Sequence, residues 1–341
     1  MSDPAVYYEA AQTAVAAIAL TDSGDAKTFK SAVNFWSGRS GYTPTILPNG
    51  IIFGAVVSAG VVNDAVRVTA CSCNLNGVVL TGATEIAAVT DDSLTITREL
   101  TNGYLKSSLT ITTGGAYAIV DGKAHATAHS TTRGADGGPP WIPTGSIEVA
   151  QIWTTSNSSA AIASTEIYQV IGMHREMSNY PTHSVQYASV SSGALGYAGV
   201  TFDAAMPEIH SDNAGTAKAT KKVYASYCTP AFSMISKTSD FKRPANSKSI
   251  SSTEYYGGAK GKVSTSLGAG SFKVLSDTLG EGLLSYEGQK LWFKFYPDRL
   301  DADVYVIAQG YLGVTETFDT DGSYTADCVI AAEAQGERVT N

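Results

Sequence analysis

Alternation of apolar and polar residues dominates the chain from Ile51 onward. It predicts strands over 51–59, 65–73, 77–81, 93–99, 104–112 and 116–121, then over 146–155, 164–174 and 183–190. A second series follows over 221–228, 231–237, 248–255 and 260–266, and KLWFKFYP is a further strand. Gly and Asn-Gly turns punctuate the series. LTITRELTNGYLKSSLTITTGG reads as a hairpin turning at Asn102-Gly103, a pair that tolerates positive φ. Three segments carry a helical pattern instead. Asp3-Pro4 reads as an N-cap followed by Pro at the first helical position, so a helix is predicted over 4–19. Asp25 caps a second over 26–37, with Phe29, Val33 and Trp36 on one face. Thr278 and Glu281 form a capping box for a short helix over 279–287, where Leu279, Leu283 and Leu284 make the apolar face.

The last segment, DVYVIAQGYLGVTETFDTDGSYTADCVIAAEAQGE, reads as two unusually long strands around a TDG turn. At about 3.3 Å per residue each arm spans roughly 40 Å. On the second arm Tyr324, Ala326, Cys328, Ile330, Ala332 and Ala334 share one face, suited to a core. Ser323, Thr325, Asp327, Val329, Ala331, Glu333 and Gln335 share the other, which is small, polar and acidic. A long exposed arm invites pairing with any neighbouring edge. If the neighbours are copies of the chain, such arms close into a barrel and remove their edges. The candidate wall residues are Thr325, Asp327, Glu333 and Gln335, with Gln309 on the first arm. An acidic wall would repel DNA phosphates.

The expected class is mainly β (α+β). A helical N-terminal arm over 1–40 precedes two tandem sandwich- or barrel-like β-domains over 41–200 and 201–341, each with a short helix and contributing long hairpins to a ring-shaped barrel. The Gly- and Ala-rich stretch 191–215 separates the two domains. EIYQVIGMHREM with HSVQYASV, and DVYVIAQGYLGV with SYTADCVIAAEA, pair similarly and suggest an internal duplication.

Composition narrows the function classes. Hydrophobic residues make up 43%, enough for a packed core, while charged residues are only 16%, below the roughly 25% of soluble domains. A charge-poor surface suits contact with other protein. The net charge of −8 is unevenly spread. Residues 300–341 hold eight acids and one base, whereas 218–294 hold twelve Lys or Arg and five acids. Such blocks suit head-to-tail association between copies, or pairing with each other inside one domain. Four cysteines without CxxC spacing do not make a disulfide framework. The N-terminus lacks the basic start of a signal peptide, and no apolar run approaches the ~20 residues of a membrane span. A soluble chain without membrane insertion is expected.

Candidate chemistry is sparse. His125 and His129 lie four apart, but no Glu stands between them as in HEXXH. Cys71 and Cys73 point to one strand face, where small core residues also belong. Asp319, Asp321 and Gly322 lack the rest of a calcium loop, and GGAKGK (257–262) reads as a basic loop without P-loop context. No enzyme, metal or cofactor is expected. The Gly/Pro-rich loop HSTTRGADGGPPWIPTGS (129–146) is long enough to be functional, and Arg133, Asp136 and Trp141 are its candidate contact residues.

The order TLGEGLLSYEG, KLWFKFYP, DVYVIAQGYLGVTETF, DTDG, SYTADCVIAAEAQGE, ending in Gly336-Glu337, resembles the tail tube (major tail) proteins of long-tailed bacteriophages. The resemblance covers about a third of the chain, 221–337, and extends to the first half only through the duplication. It implies a structural virion subunit that stacks in rings around a DNA-conducting lumen. The duplicated type implies trimeric rings, with hexameric rings as the alternative. It further implies other tail proteins as partners, DNA only in transit, and assembly in the host bacterial cytoplasm. Loop 129–146 and the helical N-terminus, which have no counterpart in the family pattern, would then make ring-to-ring contacts. A decoration, baseplate, capsid or carbohydrate-binding β-protein is the alternative, with Trp141-Ile142-Pro143 and the tyrosines as its binding surface.

Overall fold

The computed structural model is mainly β, and nearly every strand pairing in it is antiparallel. It describes residues 3–31, 33, 35–179, 182–191, 194–211, 218–256, 258–275, 283–318 and 324–340. Among these the helical pieces are single 3-10 turns.

One core lies wholly within residues 51–162. Three small sheets enclose it, and Ile51, Leu109, Ile111, Ile147 and Ile152 are fully buried there. Leu105–Ile111 is buried along its whole length because Tyr117–Asp121 and Ile147–Thr154 flank it on both sides. Its polar residues are therefore paired. Ser107 Oγ donates to Asp121, Ser108 Oγ donates to Glu148, and the Lys106 ammonium sits 3.4 Å from the centre of the Trp153 ring. The expected hairpin at Asn102-Gly103 does not form. Val89–Thr95 pairs with Ala65–Val68 instead, and Leu105–Ile111 turns back through Tyr117–Asp121.

The rest of the chain is organised by one nine-stranded sheet. Its spatial order is Thr238–Lys242, Gly270–Leu275, Tyr324–Ala332, Val304–Phe318, Lys290–Tyr296, Ala5–Ala19, Val223–Ile235 and Thr45–Pro48. Glu337–Thr340 pairs with residues 304–307 at the start of Val304–Phe318. One face carries Val6, Phe272, Leu291, Phe293, Leu312, Ala326, Cys328 and Ile330. The other packs Trp292, Tyr305 and Ile307 beneath Tyr187 and Val190, and Val223 and Ala225 against Phe29, Trp36 and Phe202. The sheet curls until Phe241, on one edge strand, stacks on Phe295 in its middle at 4.2 Å. It stays open, with no closed barrel among the described residues.

Both N-terminal helices are corrected. Residues 5–19 form a strand of 15 residues that pairs with Val223–Ile235 along its length and with Lys290–Tyr296 over residues 5–8. They complete the sheet of the C-terminal half and are not a separate helical arm. AVYYEAAQTAVAAIA has good helix formers and no strict alternation, so the pattern is ambiguous. A bulge at Glu9/Ala11 shifts the strand's register. On the strand's other side the pairing with Lys290–Tyr296 ends at Tyr8↔Phe293, and the buried Glu9 carboxylate accepts the Trp292 backbone N–H at 3.0 Å. Ser37 and Gln12 also donate to Glu9. Thr28–Lys30 is likewise a strand, pairing with Gly199–Phe202. Asp25 accepts the amides of Lys27 and Thr28 as a cap would, but the turn leads into a strand. Of the predicted helix 279–287, residues 279–282 lie outside the described residues, and Leu284–Tyr286 is one 3-10 turn.

The two strands predicted on either side of Pro230 are one, Val223–Ile235. Thr45–Pro48 pairs only as far as Ser226, so Pro230 sits where this strand has become an edge. An edge is where a missing N–H is tolerated.

Candidate assembly surfaces

The terminal hairpin forms as predicted, Val304–Phe318 against Tyr324–Ala332, with its TDG turn outside the described residues. Its alternation is as read. Ala326, Cys328 and Ile330 are buried, while Asp327, Val329, Ala331 and Glu333 are exposed; Thr325 is half-buried. Ala334 departs from the pattern and is exposed, because the strand ends at Ala332. The hairpin is not an edge, however. Gly270–Leu275 pairs with Thr325 through Ile330 on its outer side. These arms have no free backbone there with which to join another copy. Nor are the acids alone: Lys273 Nζ lies 3.6 Å from Asp327, and Lys290 Nζ lies 2.8 Å from Glu333. The acidic wall expected from the sequence is close to charge-balanced at these two positions.

Gln309, Glu333 and Gln335 come together away from Thr325 and Asp327. They line a groove of about 250 Å³ with Tyr187, Trp292, Ile307 and Glu337. Gln335 donates to Glu337 at 3.0 Å and accepts from Asn246 at 3.3 Å.

Asn246 begins the most exposed element of the protein. Ala245–Tyr255 and Gly258–Gly268 pair residue for residue into a two-stranded ribbon. The pairing includes Gly258 through Lys262, which the sequence assigned to a basic loop. Every residue of 246–269 whose burial is described is exposed, on both faces. Eleven residues span about 36 Å. One face carries Lys248, Ile250, Val263 and Leu267. The other carries Ser247, Ser249, Ser251, Ser264, Ser266, Lys260 and Lys262. Ile250 and Val263 are 78% and 60% exposed, and Tyr256 at the tip is fully exposed. The two strands were legible from alternation. Their failure to join the sheet was not.

Loop 129–146 is folded on itself. The amides of Ser130, Gly134 and Gly138 donate to the carbonyls of Gly137, Pro139 and Ala135. Gly134, at φ +78, lies under the Trp141 ring, where a Cβ would collide with the indole. Trp141 is thus half-buried, and Asp136 is exposed. Arg133 does not face outward: its guanidinium pairs with Glu148 at 2.9 Å and donates to the Pro140 carbonyl. The side chain expected at a ring-to-ring contact is consumed inside the fold.

That pair belongs to a buried ionic cluster that sequence reading missed. Glu176 accepts the Glu148 amide at 2.6 Å and meets His210 Nε2 at 3.0 Å. Lys221 Nζ donates to the Met177 carbonyl at 2.5 Å. Burial alone would raise the Glu176 carboxyl, but the His210 ring and Lys221 ammonium bring it below the usual range. Burial takes the Lys221 ammonium down to about 8, against the pull of Glu176. No local motif marks these four residues, because 148, 176, 210 and 221 meet only through the fold. Beside them opens a cavity of about 310 Å³ lined by Ile171, Met173, Met177, Ala205, Pro207 and Ile209.

The other candidate chemistry has structural partners. His125 Nδ1 accepts the amides of Thr127 and Ala128, and His129 packs between Tyr104 and Trp153. Cys71 and Cys73 are both buried, and Cys73 donates to Cys71, which lowers the Cys71 thiol to about 7. Among the described residues no group of three His, Cys, Asp or Glu side chains is placed to hold a metal, and no helix is long and apolar enough to cross a membrane.

Compared with protein-family models, curated proteins and solved structures, the chain matches none.

Proposed function

We propose that this is a structural, non-enzymatic protein that assembles with copies of itself into stacked rings around a DNA-conducting channel, as a bacteriophage tail tube subunit in the virion. The observation that carries the reading is the ribbon Ala245–Tyr255/Gly258–Gly268, exposed on both faces and ending in a bare aromatic ring. A lone two-stranded hairpin is at best marginal in water, and its open edges are templates for pairing. Such an element acquires a partner on assembly. The ribbon takes over the joining role that the sequence suggested for the terminal hairpin. The open face of that hairpin, with Thr315, Thr317, Thr325, Asp327 and Ala331 beside the exposed Tyr311 and Val329, would supply the channel wall. Three copies per ring is the number that the resemblance to duplicated tail tube proteins implies, with six as the alternative. Other tail proteins would cap the ends, and DNA would pass without lasting contact.

Electron microscopy of the purified protein at rising concentration tests this. Stacked rings with a central hole are expected, and their symmetry distinguishes three copies from six. Discrete particles without a channel at every concentration would overturn the reading.

A further inference from the structure

Tyr256 stands at the end of a lever about 36 Å long, wholly in water. An aromatic ring is the side chain most used as a central anchor in protein interfaces. The chain also holds a receptor of suitable size and chemistry. The cavity of about 310 Å³ has apolar walls from Met177, Pro207 and Ile209, and lips formed by Ile171 and Met173. Those lips are 65% and 67% exposed, an apolar rim left open to water. Lys221 and Glu176, both buried, put polar groups among the lining residues, which suits a phenolic hydroxyl behind an apolar ring. Methionine walls adapt to an incoming ring. Charge agrees as well. Asp203 and Glu208 are exposed and adjoin the lining residues Ala204 and Pro207, while Lys260 and Lys262 lie exposed near the ribbon tip.

The other cavities suit the ring less well. One of about 90 Å³ is too small for a phenol with its contacts. The groove of about 250 Å³ adjoins the root of its own ribbon through the Asn246–Gln335 hydrogen bond. An incoming tip would meet the resident ribbon there.

We infer that the ribbon of one copy seats Tyr256 in the cavity between 171–177 and 204–209 of a second copy, a head-to-tail contact that repeats along the assembly. This rests on the self-association proposed above and names the surfaces that make it. The contact joins two different patches, so it propagates and does not stop at a pair. Lys260 and Lys262 then meet Asp203 and Glu208 at the rim.

Sedimentation velocity across a concentration series decides it, with Tyr256→Ala, Tyr256→Phe and Ala205→Trp set against the unaltered chain. Tyr256→Ala removes the anchor, and Ala205→Trp fills the receptor from its exposed wall. Each is expected to raise the concentration at which assemblies appear by about tenfold or more. Tyr256→Phe keeps the ring and is expected within about threefold of the unaltered protein. Tyr256 is fully exposed, so the circular dichroism and melting temperature of Tyr256→Ala should match those of the unaltered chain. If Ala205→Trp misfolds, Tyr256→Ala still decides. Assembly of Tyr256→Ala at the unaltered concentration would overturn the inference while self-association stands. An unaltered chain that stays monomeric throughout would remove both.

Discussion

Glu9 and Lys221 are charged residues placed where charge is costly, and each is held by a specific debt of the backbone. Glu9 accepts the Trp292 N–H just beyond the point where the pairing with Lys290–Tyr296 ends. Burial pushes its carboxyl up, and the hydrogen bonds from Ser37, Gln12 and Trp292 offset part of that rise. Lys221 donates to the Met177 carbonyl beside Glu176. Its ammonium titrates near 8 in the fold against 10.5 for the unperturbed group. Between those values the unfolded chain binds the proton and the folded chain does not. Stability contributed by this group therefore increases as pH rises from about 8 to 10.5. Chemical denaturation is expected to show that increase, by one to a few kcal/mol at most. Lys221→Met should flatten the profile in this window. An equal rise in the variant would assign the effect to Lys106 and Lys294, whose ammonium groups burial also lowers.

At the scale of elements, the ribbon is separable from the fold. Residues 246–269 contribute no buried side chain to any core among the described residues. Deleting 247–266 and closing with a short Gly-Ser turn is expected to leave the melting temperature within a few degrees, since such exposed residues carry little stability. The same deletion should abolish assembly, as judged by sedimentation. A large loss of stability would show that the ribbon packs on its own chain. The terminal hairpin is the opposite case. It has neighbours on both sides, and Ala326, Cys328 and Ile330 lock it into the core. Its outward alternation was readable because a two-residue period flips every side chain together. Its place in the middle of the sheet was not, because Gly270–Leu275 is an ordinary short strand with no sequence mark of its partner.

For the whole molecule, the opposed basic and acidic blocks partly meet inside one copy, through Lys273 with Asp327 and Lys290 with Glu333. What remains outward is the lysine-bearing ribbon and exposed acids such as Asp203, Glu208, Asp301 and Asp303. Association between copies should therefore depend on ionic strength. Raising salt from about 0.05 to 0.5 M shortens the screening length severalfold. The assembly threshold is expected to rise several-fold with it, read by light scattering. A threshold that falls with salt would assign the contact to apolar burial alone.

The sequence by itself determined the β class, most strand positions and the inward and outward faces of the terminal hairpin. These follow from side-chain period and turn residues, which act over a few positions. Tertiary structure decided the rest. It drew residues 5–19 into a strand, since backbone pairing with Val223–Ile235 along its length, and with Lys290–Tyr296 over residues 5–8, outweighs helix propensities of under about 1 kcal/mol per residue. It turned Arg133 inward to Glu148, gathered Glu148, Glu176, His210 and Lys221 into one buried cluster, and left the ribbon exposed on both faces. Each of these outcomes depends on residues tens to hundreds of positions apart, and no local pattern encodes which of two alternating strands finds a neighbour.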